Sequence, residues 1–307
     1  MRFGLAFASS IAIEQEQARQ VCRAAADAGF ESLWGGEHVV LPSTIESRYP
    51  YRADGQIPAE PDTPIPDPLI WLAFAAAAAP GLRLGTCILI VPQRNPLVLA
   101  KELATLDRIS GGRVELGLGV GWLREEFVAL GVPWERRGAR NDEYVEAMRA
   151  LWAGPHAEYH GEFVDFDPVT CSPRPVQDSI PIVVGGDTDA AISRAVRLAD
   201  GYFPGEGDLD RLRSLVERVR RACEDAGRDP ASLEIDAMFG SHLRDPGPGL
   251  EAMREIGVDR VMVPAFAFAG DGGLDRLAEF GETVVRPARA DRDAARPSGA
   301  DEEGGAS

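Results

Sequence analysis

Apolar positions in this chain follow two rhythms: short unbroken β-branched runs, and longer stretches spaced by three and four residues. The two meet between Leu82 and Glu126. Arg83 to Val91 is a continuous apolar run closed by Pro92, the pattern of a strand buried on both faces. Pro96 then opens a helix, where its missing N–H costs nothing, and Leu99, Leu103, Leu106 and Ile109 recur at helical spacing until Ser110-Gly111-Gly112 ends it. Arg113 to Leu118 is a second buried strand. Gly119, Gly121 and Trp122 leave its end, and Arg124-Glu125-Glu126 begins the next helix. Two buried strands joined by one helix form a βαβ unit, and a ligand would bind at the carboxyl ends of its strands.

The same alternation runs through the rest of the chain. Strands are expected at Arg2–Ala8, Glu31–Gly36, Ile182–Val184, Gly201–Phe203, Leu233–Phe239 and Arg260–Val263. Helices are expected at Glu14–Ala28, from Pro68 to about Ala79 behind an Asp67 cap, and at Arg140–Ala153. Others follow at an Asp187 or Thr188 cap, at Asp208–Ala226, at Gly249–Ile256 and at Gly273–Val284. Two stretches interrupt the pattern. Val39 to Pro68 carries six prolines from Pro42 to Pro66, and Glu158 to Phe166 reads as a surface hairpin. Eight strands, each followed by a helix, predict a (β/α)8 TIM barrel with insertions after strands 2 and 4. A doubly wound open sheet is the alternative, weakened because Trp122 stands where the third glycine of a dinucleotide fingerprint would fall. One domain is expected over residues 1–286. Residues 287–307, without apolar periodicity, are expected to form a disordered acidic tail.

Composition narrows the function. The chain has 307 residues, 45% hydrophobic, with a formal net charge of −17. That charge argues against nucleic-acid binding, which needs a basic face. An anionic ligand would need a local basic pocket. Cys22, Cys87, Cys171 and Cys223 have neither zinc nor disulfide-framework spacing and read as reduced thiols. No apolar run is long enough to span a bilayer and no signal peptide is evident, so a cytoplasmic protein without membrane contact is expected.

Candidate chemistry collects at strand ends. Glu37-His38 follows the second strand, where a histidine can move a proton near neutral pH; the plain alternative is a loop anchor. Thr86-Cys87-Ile88 ends the third strand and reads as strand core, with no neighbouring cation to activate the thiol. Gly117, Gly119 and Gly121 either let a flat ring or phosphate approach the backbone or allow tight packing. Gly185-Gly186 before a helix start is the better anion site. Arg94 is either a partner for an anionic tail or a solvated loop cation. No nucleophile elbow, P-loop or metal cluster is present, so the chemistry is expected to come from an organic cofactor, with no metal.

The motifs SLWGGEHVVLP (Ser32–Pro42), the whole Leu82–Phe127 stretch, PIVVGG (Pro181–Gly186) and ADGYFP (Ala199–Pro204) resemble the bacterial luciferase-like monooxygenase superfamily, most of all its branch of oxidoreductases using coenzyme F420. The resemblance implies a (β/α)8 barrel, a cofactor at its mouth and pairing into a homodimer. It places Glu37 and His38 beside the reactive edge of the ring, with His38 the proton donor and Glu37 orienting it. It implies a non-prolyl cis peptide at Cys87–Ile88, after Thr86, backing the ring. It puts Val120, Gly121 and Glu125 near the ring and side chain, and Val184, Gly185, Gly186 and Thr188 at the phosphate turn. Trp122 stands where the sugar-phosphate dehydrogenase branch carries a catalytic glutamate, which argues against such a substrate; Trp122 would instead wall the substrate pocket, under a lid bearing Tyr49, Tyr51 and Arg52.

The function so implied is an F420-dependent oxidoreductase transferring hydride between the deazaflavin and a small organic substrate. The alternatives are an FMN-dependent monooxygenase on the same barrel and a non-catalytic flavin- or deazaflavin-binding protein. A cofactor-free lyase or hydrolase lacks a plausible nucleophile.

Overall fold

The computed structural model describes residues 1–59 and 62–295. Eight parallel strands close on themselves inside a ring of helices. They are β1 (Arg2–Ala6), β2 (Ser32–Gly35), β3 (Arg83–Thr86), β4 (Val114–Gly119), β5 (Ile182–Gly185), β6 (Gly201–Phe203), β7 (Glu234–Met238) and β8 (Arg260–Pro264). β1 pairs with both β2 and β8, and β3 with β4, so no edge is left open. The expected barrel is therefore present. The insertion after β4 contains the expected hairpin, Ala157–His160 antiparallel to Asp165–Val169.

The helices begin where local chemistry favours them. α1 spans Gln15–Asp27, α2 Pro68–Ala78 and α3 Pro96–Ser110. Asp67 caps α2 by accepting from the Ile70 N–H at 3.0 Å, and Asn95 caps α3 by accepting from the Leu97 and Val98 N–H groups. α4 is Arg124–Ala129, α5 Arg137–Ala153, α6 Asp189–Leu198, α7 Leu209–Asp225, α8 Pro246–Ile256 and α9 Gly273–Phe280.

Three stretches depart from the sequence reading. β1 stops at Ala6, because Phe7 takes a left-handed conformation (φ 59°) that opens a single helical turn, Ala8–Ile11. The run Arg83–Val91 is not one strand. It breaks after Thr86 at a cis Cys87–Ile88 peptide, resumes for Leu89–Ile90 and turns away at Val91–Gln93. After α9 the chain continues through a wide turn of helix, Gly281–Val285, into α10 (Arg286–Ala295), where a disordered tail is expected from 287. The reason is a second anchoring: Val285 and Ala288 are buried, and Arg286 and Arg289 donate to the Asp27 and Gly29 carbonyls at 2.6 Å. The expectation for 296–307 lies outside the described residues.

The lumen is filled in layers. At the amino ends, Arg260 is fully buried among Glu115 (2.8 Å), Asp236 (3.3 Å) and Glu31 (2.8 Å). Above it lies Trp34, its ring 4.9 Å from that guanidinium and its indole N–H donating to Ser32 Oγ at 2.8 Å. Trp34 fits because β1 and β3 present glycine to it: a Cβ on Gly85 would lie 2.3 Å from the ring. The top layer is apolar: Ala6, Cys87, Val183, Phe203 and Met262, with Phe7, Ile88 and Met238 partly exposed at the mouth. No helix among the described residues is long and apolar enough to cross a membrane.

Candidate active site

At the carboxyl end of β2, Glu37 and His38 part ways. The Glu37 side chain turns into the wall: it accepts from the Ile90 N–H at 2.6 Å and pairs with Arg94, which also holds Asp67 at 2.7 Å. Burial pushes the Glu37 carboxyl up, outweighing the pull of Arg94. Glu37 therefore does not orient His38, and Arg94 is neither a solvated cation nor free for an anionic tail. Together they clamp the segment that resumes after the cis peptide.

His38 is held from another element. Its Nδ1 lies 3.0 Å from Glu126 Oε2 on α4, while Glu126 Oε1 accepts from the Val39 N–H at 2.6 Å and the Val40 N–H at 3.3 Å. Burial raises the Glu126 pKa, but the bond and charge of His38 together with the other hydrogen bonds to this carboxylate outweigh it, so the carboxyl stays below its usual value. With Nδ1–H donated to this carboxylate, Nε2 is the nitrogen left for chemistry.

The third-strand break forms a wall beside the histidine. Thr86 Oγ1 donates to the Gly117 carbonyl at 2.6 Å, so its hydroxyl ties β3 to β4. Cys87 is buried, and burial pushes its thiol up to about 12, away from any nucleophilic role. The Ile88 side chain lies over two glycines: a Cβ on Gly119 would come within 2.0 Å of it, and one on Gly185 within 3.0 Å. Gly117 is tighter still, 1.8 Å from the Thr86 carbonyl oxygen. The β4 glycines thus serve close strand packing. Val120 and Gly121 make the turn out of β4, Gly121 at φ +82° with Phe127 beside it.

Glu125 faces away from His38 and anchors the proline-rich insertion. It accepts from the Glu46 and Ser47 N–H groups at 2.7 and 2.9 Å and from Ser47 Oγ at 2.7 Å. Its slight burial, which raises the pKa, is overcome by the Ser47 and backbone bonds, leaving it at about 2. The insertion so pinned carries Tyr49 to Trp122 (ring centroids 5.2 Å apart) and Tyr51 to Tyr49 (5.5 Å), and Trp122 meets His38 at 5.9 Å. A Cβ on Gly205, after β6, would lie 3.3 Å from the Tyr51 ring, so the insertion reaches across the mouth. Arg52 pairs with Asp54 at its exposed edge.

The turn after β5 runs Gly185-Gly186-Asp187-Thr188. Gly186 takes φ +119°, and its N–H donates to the Phe203 carbonyl. Thr188, not Asp187, caps α6, accepting from the Ala191 N–H at 3.2 Å. The Val184 side chain packs outward in the helix-side core; Val183 faces the lumen. Beneath the turn, the fully buried Tyr202 hydroxyl has no partner and lies within electrostatic reach of Asp187 and Arg218. Around it, Asp187 and Glu206 share Arg211 (3.6 and 3.0 Å), and Asp189 holds Arg218.

These features fit a flavin-type cofactor. An apolar bed of Ile88, Phe203 and Met238 suits a flat ring. The open start of α6 and the orphaned Tyr202 hydroxyl suit one phosphate. No group of three or more His, Cys, Asp or Glu side chains among the described residues is arranged to hold a metal. Two surface grooves of about 570 and 510 Å3 lie outside the barrel and contain none of the ring-side residues. Glu126, Val183, Phe203, Met238 and Tyr202 were not singled out by sequence reading.

Known proteins share this architecture. Residues 1–247 match the family model described as luciferase-like monooxygenase. An uncharacterized protein of Mycobacterium tuberculosis is 35% identical over 244 residues, 79% of this chain and 83% of that one. An FMNH2-dependent dimethylsulfone monooxygenase of Pseudomonas putida is 34% identical over 130 residues, 41% of this chain and 36% of that one. Among solved structures, monooxygenase RslO1 of Streptomyces bottropensis superposes with a TM-score of 0.74 at 24% identity, covering 94% of this chain and 99% of that one. The F420-dependent tetrahydromethanopterin reductase of Methanopyrus kandleri gives 0.73 at 18%, covering 93% and 99%.

Proposed function

This chain belongs to the luciferase-like monooxygenase family, and from that premise we propose that it is a monooxygenase that uses reduced flavin mononucleotide to oxidise a small organic substrate at the barrel mouth. The observation that carries the cofactor choice is the turn after β5. It pairs one helix start and one buried, unpartnered hydroxyl with a rim of Asp187, Asp189 and Glu206, whose carboxylates already engage Arg211 and Arg218. That arrangement suits a single phosphate and leaves neither Arg211 nor Arg218 free to hold a longer polyanionic tail. The Pseudomonas putida relative points the same way. The deazaflavin reading expected from the Leu82–Phe127 motif would send a phosphate followed by carboxylates past those acids.

Bound in its reduced form, the ring supplies the electrons and the reaction with oxygen. The chain supplies position, dryness and a proton. Ile88 and the apolar layer beneath it would provide the bed for the ring. His38, locked through Nδ1 by Glu126, presents Nε2 toward the mouth to give or take a proton. Trp122, Tyr49 and Tyr51 wall the space beside His38, where a bound substrate would displace water.

The test is a fluorescence titration of the purified chain with flavin mononucleotide and, separately, with F420, repeated on Gly185→Trp. Binding of the flavin alone, lost on Gly185→Trp, supports the proposal, as does rapid oxygen uptake by the reduced complex. Tight binding of F420 with slow oxygen uptake would move the chain to deazaflavin hydride transfer. Binding of neither would remove the redox assignment. A chain that binds flavin but forms no product is a carrier and not this enzyme, and product formation unmoved by His38→Ala would remove the proton role of His38.

A further inference from the structure

Three rings over the mouth are held in place without being packed into a core. Trp122, Tyr49 and Tyr51 belong to neither buried apolar cluster among the described residues. They meet one another and His38 edge to face, at interplanar angles of 85° (His38–Trp122), 75° (Tyr49–Trp122) and 71° (Tyr49–Tyr51). Their backbone is fixed from below by two carboxylates on neighbouring positions of one helix: Glu125 grips Glu46 and Ser47, and Glu126 grips Val39 and Val40. Large apolar rings left half-exposed over an apolar lumen, yet held in register, form an aromatic wall against which a flat molecule can pack face to face or edge to face.

The charges around this row limit that guest. Glu37 is committed to Arg94, Glu126 to His38, and Glu125 to the insertion backbone. Arg52, beside Tyr49, is taken by Asp54 at 2.6 Å. Farther along, Asp187 and Glu206 share Arg211. An anionic guest meets carboxylates and paired arginines. A cationic guest meets carboxylates already satisfied by hydrogen bonds. Opposite the row the mouth is apolar, with Phe7 stacked on the half-exposed Phe266 at 5.6 Å.

Resting on the flavin reading for its chemistry but not for its binding, we propose that the substrate is an uncharged, planar aromatic molecule packed against Trp122 and bordered by Tyr49 and Tyr51, with Trp122 the residue that sets this specificity. Trp122 meets both His38 and Tyr49, so a ring lying on it is placed beside the histidine.

Calorimetry on the cofactor-free chain tests this with four bicyclic probes: 2-naphthol, its saturated analogue 2-decalol, 2-naphthoate and 2-naphthylmethylammonium. Naphthol is expected to bind at least about tenfold more tightly than either ion, and about three- to tenfold more tightly than decalol, the range for one aromatic contact. Trp122→Leu, which keeps an apolar side chain but removes the ring, is expected to abolish the naphthol–decalol difference; Tyr49→Leu is the second variant if the first does not fold. Equal binding of naphthol and decalol, or tighter binding of either ion, overturns the inference, as does an unchanged preference in Trp122→Leu. The same preparation titrated with flavin mononucleotide reads the cofactor proposal separately. Naphthol preference without flavin binding would leave the aromatic site standing and remove the monooxygenase; flavin binding without the preference would do the reverse.

Discussion

Glu126 Oε2 lies 3.0 Å from His38 Nδ1, and the other oxygen of the same carboxylate holds the Val39 N–H at 2.6 Å. One buried acid thereby sets both the histidine's orientation and the first residues of the loop that crosses the mouth. Removing it unpairs His38 and two backbone donors at once. Glu126→Leu is expected to destabilise the chain by about 3–5 kcal/mol, the usual cost of breaking a buried pair. Glu126→Gln keeps an acceptor, and is expected to cost less stability while lowering turnover about tenfold or more, because its amide also brings a competing donor to Nδ1. The sign with pH follows from a carboxyl held below its ordinary value of 4.5. Its stabilisation is complete above about pH 4.5 and disappears as pH falls through the lower folded value. Urea titrations at pH 7 and pH 3.5 should show the wild-type advantage over Glu126→Gln shrinking in acid; an advantage that grows would contradict the pairing.

The Glu37–Arg94 pair gives the opposite dependence. Burial holds the Glu37 carboxyl above its ordinary 4.5 even with Arg94 attached. As pH rises past 4.5 the unfolded chain loses that proton more readily than the folded one, so the group costs stability above that point. Arg94→Leu strands the carboxylate and removes the partner of Asp67, with an expected loss of about 3–5 kcal/mol, larger at pH 8 than at pH 5. Arg94→Leu combined with Glu37→Gln should recover most of it, since the amide needs no counter-charge. Thermal unfolding of the two variants at both pH values decides the matter; a double variant no better than the single would mean that Arg94 acts through Asp67 alone.

The barrel was legible because its strands carry unbroken apolar runs and its helices carry caps and 3.6-residue spacing, and both signals are local. The site was half legible. Position along the chain put His38, Ile88 and Trp122 at strand ends, but the partner of His38 is 88 positions away, and the family resemblance pointed to Glu37 instead. A helical reading of Leu123, Glu126 and Phe127 would have found it: at i, i+3 and i+4 they share the buried face, with Glu125 beside it. The break after Thr86 was hidden because Cys87 and Ile88 are as apolar as the strand around them; the resemblance marked it and periodicity did not. Tyr202 was passed over because its hydroxyl is defined only by where α6 begins.

Gly117 and Gly119 differ in what opposes them, and so should their variants. A Cβ on Gly117 would lie 1.8 Å from the Thr86 carbonyl oxygen, which belongs to the strand and cannot move aside. Gly117→Ala is expected to cost more than about 3 kcal/mol or to prevent folding. A Cβ on Gly119 meets only the far end of the Ile88 side chain at 2.0 Å. Gly119→Ala should cost about 1–3 kcal/mol and be partly rescued by Ile88→Val, which removes the offending methyl. Denaturant midpoints for the singles and the Gly119→Ala, Ile88→Val double form the measurement; equal losses for both glycines would refute the distinction.

Asp236 offers the clearest pH signature. It is buried in the amino-terminal layer, 3.3 Å from Arg260, with Oδ1 unpartnered, and burial lifts its carboxyl to about 7 in spite of the arginine. Below about pH 4 folded and unfolded chains both keep the proton. Between about 4 and 7 the unfolded chain releases it and the folded chain does not, so this group removes stability as pH rises, and above about 7 the loss is constant. The separation from the ordinary 3.8 sets an upper bound of about 4 kcal/mol. Asp236→Asn no longer titrates, and Arg260 keeps Glu115 and Glu31 at 2.8 Å. The variant should therefore gain on the wild type from pH 5 to about pH 7 in equilibrium unfolding and hold that gain to pH 8, whatever its offset at pH 5. A difference independent of pH would show that the Arg260 guanidinium holds Asp236 ionised throughout, and that this layer is an intact ion network.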